Sequence, residues 1–83
     1  MMPLEKVKIV DMIEVTENGC VQVRTKTAIM EDGQQISGSF HRHVIMPGDD
    51  YANEDPRVKA ICKATHTPAV IAAYRASLEQ APV

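Results

Sequence analysis

Apolar and polar residues alternate along three segments, Lys6–Val15, Cys20–Glu31 and Gln34–Met46. That is the period of a β-strand with one face turned to a core. Each segment is rich in β-branched residues and none contains proline. Asn18-Gly19 and Asp32-Gly33 separate them and mark tight turns.

The register of each pair follows from its turn. A two-residue loop at Asn18-Gly19 sets Val15 against Gln22 and Ile13 against Arg24. A three-residue loop, Glu17-Asn18-Gly19 with Gly19 left-handed, sets Val15 against Val21, Ile13 against Val23 and Ile9 against Thr27. The second register keeps apolar with apolar and is the one expected, because a slip of one residue turns every side chain over. At Asp32-Gly33 a two-residue loop pairs Ile29 with Ile36, Thr25 with Phe40 and Val21 with Val44. Both hairpins then predict one inner face. It takes Val7, Ile9, Ile13 and Val15 from the first strand, and Val21, Val23 and Ile29 from the second. The third strand adds Ile36, Phe40, Val44 and Met46.

Pro47-Gly48-Asp49-Asp50 ends the third strand. Asp55-Pro56 then reads as an N-cap with proline at the first helical position. A helix to about Ala64 turns Val58, Ile61 and Cys62 inward. Thr67-Pro68 repeats the start signal for a second helix to about Glu79, with Val70, Ile71, Tyr74 and Leu78 on one stripe. The last few residues are expected to fray. The predicted fold is α+β: a three-stranded antiparallel β-meander followed by two short C-terminal α-helices. It forms a single domain over 1–83, with the meander in 1–46, a loop in 47–54 and the helical pair in 55–80.

Composition narrows the function classes. At 83 residues the chain builds only a modest core, and one Phe with no Trp makes that core aliphatic. A net charge of −2 is not that of a generic nucleic-acid binder. No apolar run approaches the length of a membrane span, and the first residues lack the pattern of a secretory leader. Cys20 and Cys62 are too few for a disulfide scaffold and are expected to be reduced thiols.

Length raises a question of shape. Strands of about eleven residues at roughly 3.3 Å each make a ribbon near 35 Å long. A twelve-residue helix spans about 18 Å. The helices cover the sheet only if they lie lengthwise along it. The face opposite the predicted core also carries Val10, Met12, Ala28, Met30 and Ile45. Exposed ribbons and long edges invite pairing, so the sheet is expected to complete its core against other copies or a partner.

The predicted outer face holds Lys6, Lys8, Arg24, Lys26, His41 and His43, opposed mainly by Glu14. Acidic Asp49, Asp50, Glu54 and Asp55 gather in the loop before the helices. The expected interface positions are Lys8, Val10, Met12, Arg24, Lys26, Met30, His41 and His43. His41 and His43 share a strand face and are the candidate metal ligands, but two imidazoles supply half of a tetrahedral site. Their plainer reading is a solvated pair. His66, between the helices, is expected on the surface. Asp11 and Arg42 fall on the predicted inner face, where charge is costly unless paired, and an ion pair between them across the sheet is one resolution.

Enzyme chemistry finds no support. The sequence has no phosphate-binding glycine loop and no nucleophile elbow. Ser37, Ser39 and His41 share an exposed strand face, where nothing excludes water. No catalytic residue and no cofactor is expected.

Three stretches carry a resemblance: Val21-Gln22-Val23-Arg24-Thr25-Lys26-Thr27, Phe40-His41-Arg42-His43-Val44 with Pro47-Gly48-Asp49-Asp50, and Val70-Ile71-Ala72-Ala73-Tyr74. Together they resemble a group of small uncharacterised proteins of tailed bacteriophages, virion or tail-fibre associated. The resemblance implies a structural or adaptor component of a virion (tail, fibre or baseplate), made in the host cytoplasm. Its expected partners are other phage structural proteins and further copies of itself. In some phage fibres a His-x-His pair from each of three chains binds iron, a pattern His41 and His43 match only locally. The alternative is a small nucleic-acid-binding or regulatory protein using the basic sheet face, whose binding would fall steeply with salt.

Overall fold

The structure is a computed structural model describing residues 4–79. Residues 1–3 and 80–83, with the expected C-terminal fraying, lie outside the described residues. Three strands, β1 (Leu4–Val15), β2 (Val21–Glu31) and β3 (Gln34–Ile45), form an antiparallel sheet in the order β1-β2-β3. Two helices follow, α1 (Pro56–Thr65) and α2 (Pro68–Glu79). The fold is the α+β meander with a C-terminal helical pair.

Both turns take the conformations their residues favour. Gly19 has φ +91°, and the amide of Gly19 donates to the Thr16 carbonyl at 3.0 Å. Val15 therefore meets Val21 and Ile13 meets Val23, as the three-residue loop requires. Asp32 and Gly33 have φ +53° and +78°, the pair of positive angles of a type I′ hairpin. The Asp55 carboxylate accepts from the Arg57 amide at 2.8 Å and caps α1, with Pro56 next to it.

Beyond the turns the expected registers fail, once in each hairpin. A bulge at Asp11 shifts β1, so Ile9 meets Lys26 and it is Lys8 that meets Thr27. A second irregularity, with Ile36 as the extra residue, shifts β3. Ile29 then meets Ser37, Thr25 meets His41 and Val21 meets Ile45, not Ile36, Phe40 and Val44. An extra residue reverses the in-out alternation of everything after it.

The two faces change accordingly. The helix-side face carries Ile13 and Val10 from β1, Val21 and Val23 from β2, and His43 and Ile45 from β3. Val7, Ile9, Phe40 and Val44, expected inside, lie on the opposite, open face, and Ile36 and Met46 are exposed as well. Val10 and Ile45 move the other way, into or against the core.

The core occupies one end of the sheet. Val21, Val23 and Ile45 pack against Val58 and Cys62 of α1, with Val10, Ile13, Tyr51 and Ile61 around them. Val58, Ile61 and Cys62 point inward as expected, whereas α2 buries no residue fully and leaves Leu78 exposed. The helices do not run lengthwise along the ribbon. The molecule measures 59 × 28 × 17 Å with a radius of gyration of 17.0 Å. A compact domain of this length has a radius of gyration of about 12 Å. The excess is the far half of the sheet, which projects beyond its own helices.

Candidate functional site: the open sheet face and its edges

Two-residue alternation from Val21 to Glu31, with the registers above, assigns each side chain to a face. On the open face Met12 lies beside Arg24 and Arg42, Ile9 beside Lys26 and Phe40, and Val7 beside Ala28. Phe40 and Ile9 are 57% and 55% exposed. This is an apolar surface interrupted by basic groups, and no element among the described residues packs on it.

Its central charge is already matched. Arg24 donates through Nε and one terminal nitrogen to the two carboxylate oxygens of Asp11, both at 2.9 Å. The same guanidinium lies 4.5 Å from the Phe40 ring centroid, in cation–π range. Asp11 does not pair across the sheet with Arg42: the bulge places it against Arg24. Arg42 faces the open side, and the end of this face near the first turn forms a shallow groove of about 310 Å³ between Met12, Glu14, Arg24, Arg42 and Val44.

Hydrogen bonding from the Arg24 side chain holds the Asp11 carboxyl below its ordinary value of 3.8. A depressed carboxyl pKa adds stability above the unfolded value that is lost as pH falls through the folded one. Asp11→Asn should therefore be less stable than the parent at neutral pH. The gap should shrink below pH about 4 and close once both forms are uncharged at this position. Thermal melts across that range give the test, and a gap independent of pH would contradict the ion pair.

The expected interface residues divide between the faces. Met12, Arg24, Lys26 and Met30 belong to the open face. Lys8, Val10, His41 and His43 belong to the helix side, and so does Lys6. The single basic face of Lys6, Lys8, Arg24, Lys26, His41 and His43 does not exist. The bulges at Asp11 and Ile36 separate its members.

His41 and His43 do share a face. Their rings stack at 25° with centroids 6.3 Å apart. His43 Nε2 lies 2.8 Å from Glu54 Oε1, so this nitrogen is occupied by the loop before α1. Among the described residues no group of three or more His, Cys, Asp or Glu side chains converges as a metal site.

His66 is not a surface residue. It is 8% exposed, and its Nε2 lies 2.7 Å from the Gly19 carbonyl oxygen, tying the end of α1 to the first turn. Since a carbonyl only accepts, Nε2 carries the proton, and the buried Nδ1 has no hydrogen-bond partner among the described residues. The edge of Tyr51 packs on the ring at 6.2 Å. Its place between two helices gave no hint of this; the contact is made to a residue far away in the sequence. Cys20 and Cys62 are free thiols, and burial pushes the Cys62 pKa up, aided by the nearby Glu54 carboxylate. A raised pKa leaves that sulfur a poor nucleophile.

No family model matches the chain, and neither a curated protein nor a solved structure is significantly similar to it. No helix among the described residues is long and apolar enough to cross a membrane.

Proposed function

We propose that the protein is a small structural or adaptor component of a bacteriophage virion, in the tail, fibre or baseplate, acting through self-association and binding to other phage structural proteins. The observation that carries the self-association is the half-covered sheet. An apolar face containing Val7, Ile9, Met12, Phe40 and Val44 has no cover from the described residues of its own chain, and an exposed contiguous apolar patch is characteristic of an interaction surface. The phage assignment rests on the resemblance of the strand and helix segments named above. No catalytic role is proposed, and the protein acts in the virion after synthesis in the host cytoplasm. The nucleic-acid alternative required the basic residues on one face, and the register divides them.

Native mass spectrometry and sedimentation at high micromolar concentration test the first half of this reading. Oligomers of defined stoichiometry are expected, and a monomer under both methods would refute self-association. Peptide mass spectrometry of purified particles tests the second half: the chain is expected in the virion, and its confinement to the host lysate would refute that placement.

A further inference from the structure

We infer that the outer edge of β3 is the surface through which two copies join, antiparallel and across a two-fold axis beside His41, so that the meanders form one continuous sheet. This rests on the self-association proposed above and adds to it the edge at which two copies join; the merged open face is left for further copies or partner proteins.

The two edges of the sheet are unequally protected. The edge strand β1 carries the bulge at Asp11, two lysines at Lys6 and Lys8, and the Arg57 guanidinium hydrogen-bonded to the Val10 carbonyl. Bulges, lysines and capped backbone groups are the usual means of blunting an edge. The β3 edge has none of these beyond Ile36. From Ser37 to Ile45 the pairing with β2 is regular, without proline or lysine. Among the described residues no other hydrogen bond reaches the β3 backbone. Gln34 to Arg42 is exposed without interruption. An edge that is long, regular and unguarded is a template for another strand.

Symmetry and charge select the register. A two-fold axis normal to the sheet pairs residues of the same face, so the axis passes beside a residue. The regular stretch Ser37–Ile45 has His41 at its midpoint. An axis there uses the whole stretch and leaves the Ile36 irregularity outside the ladder. It sets Arg42 across from the second copy's Phe40, and Val44 across from its Gly38. Phe40 already stacks under Arg24 on one side, and the incoming guanidinium covers the other. An axis at Arg42 would put two guanidiniums directly opposite, which is unfavourable. An axis at Phe40 shortens the regular ladder and draws in the bulge. With the axis at His41, the two open faces merge into one apolar surface across six strands.

Disulfide trapping tests the register. In a Cys20→Ser background, which leaves only the buried Cys62, single cysteines are placed at Ser39, His41 and His43, and on the other edge at Lys8. Each variant is treated with diamide, which takes up the two thiol hydrogens as the S–S bond forms. Residues directly opposite on antiparallel strands have Cα atoms about 4.5–5.5 Å apart, within disulfide range. Cysteines two residues from the axis lie about 14 Å from their own copies. The expected result is near-complete covalent dimer for His41→Cys and less than a tenth as much for Ser39→Cys, His43→Cys and Lys8→Cys. Native mass spectrometry of the unmodified chain accompanies the trapping. An oligomer with no maximum at position 41 overturns the β3 edge and leaves self-association standing. A monomer overturns both.

Discussion

Gly19→Ala is expected to lower the stability of the protein by about 3 kcal/mol, through two effects of known size. Gly19 sits at φ +91°, where a side chain costs about 1–2 kcal/mol. A Cβ there would also lie 2.7 Å from Val70 Cγ1 and 3.3 Å from Pro47 Cγ. Val70 is β-branched and belongs to α2, so the helix must move rather than a flexible tip. Overpacking of this kind typically costs about 1–3 kcal/mol. The Gly19 carbonyl also holds His66, and a displaced turn weakens that bond too. Gly33→Ala is the internal control. Gly33 is at φ +78°, but nothing lies within 4 Å of its added Cβ, so only the backbone cost of about 1–2 kcal/mol applies. In thermal melts Gly19→Ala should lose roughly 12–24 °C, given about 4–8 °C per kcal/mol for a chain of this length. Equal losses for the two variants would mean that α2 does not pack on the first turn.

Core substitutions should show a reversed order of side-chain size. Val58 is fully buried between α1 and the sheet, and Val58→Ala should cost about 2 kcal/mol from lost transfer energy and a residual cavity. Val58→Asp should unfold the chain, since an unpaired carboxylate there has nothing to satisfy it. Phe40 is far larger, and a buried Phe→Ala typically costs about 3–5 kcal/mol. On the open face at 57% exposure, Phe40→Ala should destabilise the isolated chain by under about 1 kcal/mol. Chemical denaturation at low protein concentration, where assembly does not contribute, separates the cases. A Phe40→Ala loss above that of Val58→Ala would restore Phe40 to the core and reject the shifted β3 register.

Much of this fold is legible in sequence because its signals are local. Asn18-Gly19, Asp32-Gly33, Asp55-Pro56 and Thr67-Pro68 fix where elements begin and end, since each satisfies a backbone demand within a few residues. Registers adjacent to each turn follow from the same local geometry. The two bulges break no local rule of turn or strand, yet each leaves a trace. Asp11 and Arg42 were the charged residues on the expected inner face, and each shift of one residue turns one of them outward. A charge at an otherwise apolar in-facing position is thus a marker for a bulge nearby, with Asp11 itself as the extra residue in β1. His66 left no such trace, because a histidine beside a helix end has the same sequence appearance whether it bonds water or a distant carbonyl.

The chain by itself determined the order of elements, the turns and the excess of ribbon over helix, because these depend on spacing and conformational preference within short windows. Only the tertiary structure decided which side of β3 meets α1. The alternation of Phe40 to Ile45 offers an apolar set in either parity, Phe40 with Val44 or His43 with Ile45, and packing against Val58 and Cys62 together with the Glu54 bond to His43 selects the second. Contacts between separate elements, β3 with α1 and with the loop before it, break that tie, and the alternation within β3 carries no sign of them.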